Sequence, residues 1–424
     1  MLIPRKISRI NQLVLVCLII CLLSTIIQNN GSTTSPITYN NPPTGFSTWS
    51  KVNLRMDYEY KIWSLSNNNF VEMWFHRFSN HSHPHMIGVA PIQSVDVLSN
   101  TTNFTPDTYY YDPADDYNNT IEFFDVTLLT GNEFIYEISY NITMNEITWE
   151  PQDSNEQEYN LTDPFYLNLT GPENNLQVNN PTLVDLSNQL CEGKTSIGDK
   201  IEAILDWIIN NIEYEPDLVS SQGAYLTYFT KRGDCSDFST LFVTLCRIQG
   251  IPARKIVGLV LFDDNGYPLY NLKAGDEISY FLGLNPEGGG EGNVPGHAWA
   301  EYYIPGYGFI STDPTFCQSD KRKYMNSIDY IHLFSSVGEN FGAGIDPPLP
   351  SSTVEFGFLP YIISSDLNNL RWSVRIDIEI ISADLKTPRR WIPFHTGVLI
   401  VVSLGTISLL GLGTTLKSKI KPHF

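Results

Sequence analysis

The stretch KRGDCSDFSTLFVTLCRIQGIPAR, residues 231–254, holds two cysteines in different settings. Asp234 has the short polar side chain of a helix N-cap, and Asp237, three residues on, completes the pattern of a capping box. Phe238, Leu241, Phe242 and Leu245 then recur at the 3.6-residue period, and Gly250 and Pro252 end the run. The spacing predicts a helix with Cys235 at its first position. A sulfur there lies near unsatisfied backbone N–H groups and the positive end of the helix dipole, where a thiolate is stabilised. The neighbouring carboxylates oppose this, so a base is needed. Cys246 lies inside the helix between Leu245 and Ile248 and reads as a small core residue.

Downstream the period changes from 3.6 to 2. RKIVGLVLF (254–262), HAWAEYYI (297–304) and YGFISTD (307–313) read as strands. The turn PGYG (305–308) folds the second of these onto the third. With the hairpin centred on Pro305, paired residue numbers sum to 610, and His297 falls opposite Asp313. In that register Asp313 holds the imidazole while the other ring nitrogen faces Cys235, the logic of a nucleophile, a base and its orienting carboxylate. Each residue has a duller reading: a small buried cysteine, a satisfied strand histidine, a common turn. The order Cys, His, Asp, with a hairpin joining the last two, favours the chemical one.

GDCSDFSTLFVTLCRIQGIPAR followed by GHAWAEYYIPGYGFISTDPT closely resembles the transglutaminase-like superfamily. AILDWIINNIEYEP, just upstream, looks like the helix leading into that core. The resemblance covers roughly residues 163–318. It implies a papain-like α+β core with the cysteine helix packed on an antiparallel sheet, Cys235 as nucleophile, His297 as base and Asp313 as orienter. One departure is Phe309, where a Trp is frequent, at a packing position. Microbial membrane-anchored members are mostly thought to be thiol peptidases or amidases, so the resemblance implies amide hydrolysis of a protein or peptide through a thioester. Two other readings stay open: cross-linking by a protein-glutamine gamma-glutamyltransferase, and a non-catalytic surface protein for adhesion or assembly. No cofactor or metal is expected. Neither CxxC nor a paired Cys/His spacing is present, and YDPADD (111–116) lacks EF-hand spacing and reads as a solvated acidic loop.

The formal net charge of the 424 residues is −20. Residues 1–27 and 386–424 contain no Asp or Glu and 9 of the 26 basic residues, leaving 17 bases against 46 acids in between, a net of −29. Such a surface repels nucleic acid, which is excluded as a partner. Leu13 to Ile27 is an uncharged apolar run behind three basic residues, the pattern of a signal peptide or short anchor. Ile392 to Leu416 is an uncharged run of 25 residues, long enough to cross a hydrocarbon core of roughly 30 Å. The N-terminal charges place the acidic middle outside the cell. Eight N-x-S/T sequons, from Asn30 to Asn168, agree with an exported glycoprotein. Cys191, Cys235, Cys246 and Cys317 remain outside the membrane runs; Cys235 is expected free, and Cys191–Cys317 is the disulfide to look for.

The expected class is therefore α+β: a papain/transglutaminase-like core preceded by an all-β sandwich-like domain, with hydrophobic membrane segments at the ends. Boundaries fall at 1–28 for the signal or anchor, 29–45 for a polar linker and 46–165 for the β domain. They continue at 166–345 for the core, 346–388 for a β extension or linker, 392–416 for the membrane helix and 417–424 for a basic cytoplasmic tail. The β domain rests on strict alternation at Val52, Leu54, Met56, Tyr58, Tyr60 and Ile62, and again from Phe134 to Met144. Residues 372–380 alternate too, and either complete that sheet or pair beside the core. Helical periodicity marks Leu183–Leu190 and Ile197–Ile212. The insertion 263–296, ending in PEGGGEGNVPG, reads as a lid or, more commonly, a flexible linker. Oligomeric state is not legible.

Overall fold

The computed structural model describes residues 46–82, 90–112, 117, 119–151, 158–216, 222–284, 290–339 and 359–386. The two terminal apolar runs, the 29–45 linker, the basic tail and residues 113–116 lie outside the described residues. Among the described residues no helix is long and apolar enough to cross a membrane.

Strands β1 (Phe46–Ser64), β2 (Asn69–Arg77), β3 (Gln93–Thr102), β4 (Thr108–Asp112), β5 (Thr120–Leu128) and β6 (Glu133–Trp149) open the described chain. Helices α1 (Pro164–Thr170), α2 (Pro181–Cys191) and α3 (Ile197–Asn211) follow, then β7 (Glu213–Tyr214), α4 (Gly223–Thr230), β8 (Arg232–Gly233) and α5 (Cys235–Ile248). The sheet residues resume with β9 (Ala253–Val260), β10 (Glu277–Leu284), β11 (Gly290–Asn293), β12 (Gly296–Ile304) and β13 (Gly308–Thr312). After α6 (Cys317–Tyr324) come β14 (Ser327–Ile328), β15 (His332–Val337), β16 (Tyr361–Ser364) and β17 (Leu370–Asp384).

The alternating residues of β1 form one buried row. Val52, Leu54, Met56, Tyr58, Tyr60 and Ile62 are all buried, and the antiparallel register sets Tyr58 opposite Ile138 of β6 on one side and Ile376 of β17 on the other. A slip of one residue would turn all six to water, at roughly 1.5–3 kcal/mol each, which fixes the pairing. A second sheet, in the order β16-β2-β5-β4, covers that face. Tyr60 and Tyr136 of the first sheet meet Phe75 of the second at ring distances of 5.2 and 4.6 Å. The result is a sandwich, and β17 completes its first sheet.

The Gly-rich insertion departs from the linker expected of it. β10 pairs with β17, setting Ile278, Tyr280 and Leu282 beside Ile378, Ile376 and Val374, and β11 closes a hairpin on β10. Glycine is needed here for approach, because at φ +86° a Cβ on Gly292 would sit 2.1 Å from the Phe281 carbonyl oxygen. The alternation of EISYFLGL outweighs the glycines after it.

The core sheet runs β13-β12-β9-β15, all antiparallel. Helix α5 lies on β12 and β9 and is covered elsewhere by α2, α3 and α4. Asp237 to Arg247 are buried all round, so the helix has no solvent face, only an apolar side and a polar side of Ser239, Thr240 and Thr244. The β12–β13 hairpin differs from the expected register. Ile304 pairs with Gly308 and Ala300 with Thr312, a sum of 612, because the loop has three residues, with Gly306 at φ +92° and the Tyr307 N–H closing on the Ile304 carbonyl at 3.0 Å. No disulfide joins Cys191 and Cys317: all four described cysteines are free. Cys191 ends α2 within electrostatic reach of Cys246 on α5, whereas the Cys317 N–H starts α6 on the Asp313 carbonyl at 2.9 Å.

Candidate active site

Cys235 occupies the first residue of α5, half-buried. The capping box is present in both directions: the Asp237 N–H donates to Asp234 Oδ1 at 3.1 Å, and the Asp234 N–H donates to Asp237 Oδ2 at 3.3 Å. Asp237 also takes the Gln222 N–H at 2.7 Å, which ties the segment before α4 to the same helix start. Beside Cys235, the Ser236 hydroxyl accepts from buried Lys255 Nζ at 3.0 Å. Lys255 is itself paired with buried Glu339 at 2.8 Å. This anchor was not foreseen; its signal is a lysine at an inward position of the apolar run RKIVGLV.

His297 and Asp313 meet despite the shifted register. His297 Nε2 lies 2.7 Å from Asp313 Oδ2, both side chains fully buried. In the observed pairing Asp313, one residue past β13, is the diagonal rather than the direct neighbour of His297, and a diagonal side chain on the same face remains in reach. Gly258 faces His297 across the β9–β12 ladder. A Cβ there would lie 1.9 Å from the Leu333 carbonyl oxygen and 2.9 Å from the Trp299 ring, so this glycine lets three strands close around the imidazole.

The Asp313 carboxylate is saturated. Oδ1 accepts the N–H groups of Thr315 and Phe316, each at 2.9 Å. Oδ2 accepts from His297 and also from His332 Nε2, at 3.2 Å. Burial alone would raise the Asp313 pKa; His297 and then His332 outweigh it and hold the carboxyl well below the usual range. An ionised carboxylate only accepts, so His297 donates to it from Nε2, which leaves Nδ1 as the other ring nitrogen. That nitrogen is buried and has no hydrogen-bond partner. The structure thus joins His297 to Asp313 and leaves Nδ1 unbonded, with no hydrogen bond from it to Cys235.

His332 is the residue that sequence reasoning missed. It opens β15, and its Nδ1 lies 2.6 Å from Asp329 Oδ1. Burial disfavours its charged form, but Asp329 and Asp313 override this and push its pKa up to about 9. The signal was a D-x-x-H spacing in IDYIHLF, where a buried strand begins. One atom from each of His297, Asp313 and His332 lies within 4.8 Å of the others, a spacing a cation would tolerate. The contacts are instead hydrogen-bonded, since one oxygen serves both imidazoles and both His332 nitrogens face carboxylates.

Against this geometry, residues 184–314 match the family model of the transglutaminase-like superfamily. Residues 184–314 form a transglutaminase-like domain. An uncharacterised protein of Haemophilus influenzae is 32% identical over 120 residues, 27% of this chain and 30% of its own length. The uncharacterised protein YebA of Bacillus subtilis is 27% identical over 192 residues, 42% of this chain and 23% of its own. This chain therefore spans under a third of either relative. Among solved structures, a candidate cysteine protease from Cytophaga hutchinsonii aligns over 82% of this chain and 96% of its own, with TM-score 0.50 and 17% identity. At that identity the likeness is one of fold, and it reaches beyond the transglutaminase-like domain into the sandwich.

Proposed function

We propose that this protein is a thiol hydrolase of amide or peptide bonds, anchored in the cell membrane with its main domains outside the cell. The observation that carries the reading is His297: its Nε2 is bound to Asp313, while its buried Nδ1 has no partner in a domain whose central helix starts at Cys235. In this reading His297 Nδ1 takes the Cys235 thiol proton as the sulfur attacks the carbonyl carbon of the substrate. The C–N bond breaks, and the imidazolium gives that proton to the leaving amine. A water molecule, deprotonated by the same nitrogen, then opens the thioester, releasing the carboxylic acid and restoring the thiol. Asp313 holds the imidazole in the tautomer that does this and offsets its charge. The first turn of α5 favours the thiolate, and the Cys235 backbone N–H is the one oxyanion donor we assign.

Location rests on the sequence: two uncharged apolar runs, basic residues at their ends, and an acidic middle. The six sequon asparagines among the described residues, Asn80, Asn100, Asn103, Asn141, Asn160 and Asn168, are all exposed, as glycan attachment requires. A thiol-directed activity probe is expected to label the wild type at neutral pH and to leave Cys235→Ala unlabelled. Equal labelling of both, or of neither, would overturn the enzyme reading. Incorporation of a fluorescent primary amine into protein would replace hydrolysis by cross-linking.

A further inference from the structure

His332 sits where the proposed reaction has no stated need of it. Both of its ring nitrogens point at carboxylates, Nε2 at Asp313 and Nδ1 at Asp329. Ionised carboxylates cannot donate, so both nitrogens must, and the ring is a buried imidazolium. Its surroundings are built for that charge. Asp329 also pairs with Lys323 Nζ at 2.8 Å and accepts from the Tyr324 hydroxyl at 3.2 Å. Tyr324 in turn bonds the Tyr270 hydroxyl, and Trp299 and Phe316 close the remaining sides of the ring at 5.2 and 5.3 Å. The groups facing His332 are therefore Asp313 from the end of β13, His297 from β12, Asp329 from the turn before β15, and Lys323 and Tyr324 from α6, with Tyr270 from the insertion behind Tyr324.

We infer that His332 is a positioning residue, a buried imidazolium that clamps Asp313 Oδ2 against His297 and so tunes and aims the base. This rests on the triad reading above. The geometry gives it two consequences. First, the clamp fixes the carboxylate oxygen that selects the His297 tautomer. Second, the His332 cation, its ring centre 5.8 Å from that of His297, repels a second positive charge there. Its high pKa agrees with this arrangement. Asp313 and His332 carry opposite charges, so the pair presents no net charge to His297.

The test is the pH dependence of Cys235 inactivation by a peptidyl epoxide. The thiolate attacks the epoxide carbon, the C–O bond breaks, and the oxygen takes its proton from the imidazolium, so the alkaline limb reports His297. Relative to wild type, His332→Gln is expected to lower the plateau rate about tenfold and to move the alkaline limb upward. A variant that is merely loosened lowers the plateau and leaves the limb in place, which would overturn the inference, as would an unchanged profile. Asp329→Asn guards against a His332→Gln that does not fold. It keeps the ring and removes the carboxylate holding its second proton, and it should move the limb upward by less; a limb unmoved or lowered counts against the clamp. Wild-type protein that does not react through Cys235 would overturn the triad reading and this inference together. A reactive wild type with a silent His332 would sink only the inference.

Discussion

Asp313 carries two imidazoles on one oxygen, so its removal strands both in the buried interior. Asp313→Ala should cost roughly 3–5 kcal/mol, the range for breaking a buried pair and leaving charge behind; urea midpoints would measure it, and a loss below about 1 kcal/mol would contradict the network. Two buried histidines make opposite statements about pH. Asp329 and Asp313 overcome burial and raise His332 to about 9, so its contribution is complete below the unfolded value of about 6.5 and is lost as pH climbs through 9. Burial, only partly offset by Asn119, lowers His76 to about 3, so its contribution is present above about 6.5 and is lost as pH falls towards 3. Stability should therefore peak near neutrality and decline on both sides; urea midpoints still rising between pH 7 and 9 would refute the His332 half. The His297–Asp313 contact and the place of Cys235 at a capped helix start were legible because a cap, a hairpin and a family pattern converged on them. His332 was not, because the D-x-x-H spacing offers only one of its two carboxylates, Asp329, and Asp313 meets the other ring nitrogen only in the folded chain.

At the scale of elements, the start of α5 depends on a reciprocal cap and the entry of β12 on a bare glycine. Asp234→Ala removes one half of the capping box and should cost about 1 kcal/mol, together with slower probe labelling of Cys235, since the first turn loses its fixed direction. Gly258→Ala is the harsher change: its Cβ would have to displace the Leu333 carbonyl or the Trp299 ring. It should move β15, and His332 with it, away from β9 and disturb β12 beside His297, which thermal unfolding and probe labelling would report together; wild-type behaviour in both would show that the strands have slack. The elements themselves were largely readable, because period-two rows such as Val52 to Ile62 and the capped run from Asp234 leave little choice. The hairpin register was not. A centre at Pro305 or at Gly306 differs by one residue, and only the left-handed Gly306 and the closing bond at Tyr307 decide between them.

Across the whole molecule, the described residues fall in one compact unit, and the chain order of the domains does not match the membership of the sheets. The first sheet draws β1, β3 and β6 from the N-terminal part, β10, β11 and β14 from the segment around the candidate site, and β17 from beyond it. The insertion between β9 and β12 is therefore a brace: it leaves the core sheet next to His297 and returns after pairing with the sandwich. Composition hid this, because glycines at 288–292 suggest a linker, while the alternation that makes β10 is only eight residues long. A stability consequence follows from what β10 buries. In a fragment of residues 166–345, β10 has no β17 beside it, and Tyr280 and Leu282, now 9% and 2% exposed, lose their cover. Such a fragment should be insoluble or bind the dye ANS strongly, whereas residues 46–386 should be soluble and unfold in a single transition. Two separable transitions in the longer protein would show that the brace carries little energy. A single transition would mean that the sandwich holds the site in place, so that substitutions in β17, far from Cys235 in sequence, would lower probe labelling by way of stability.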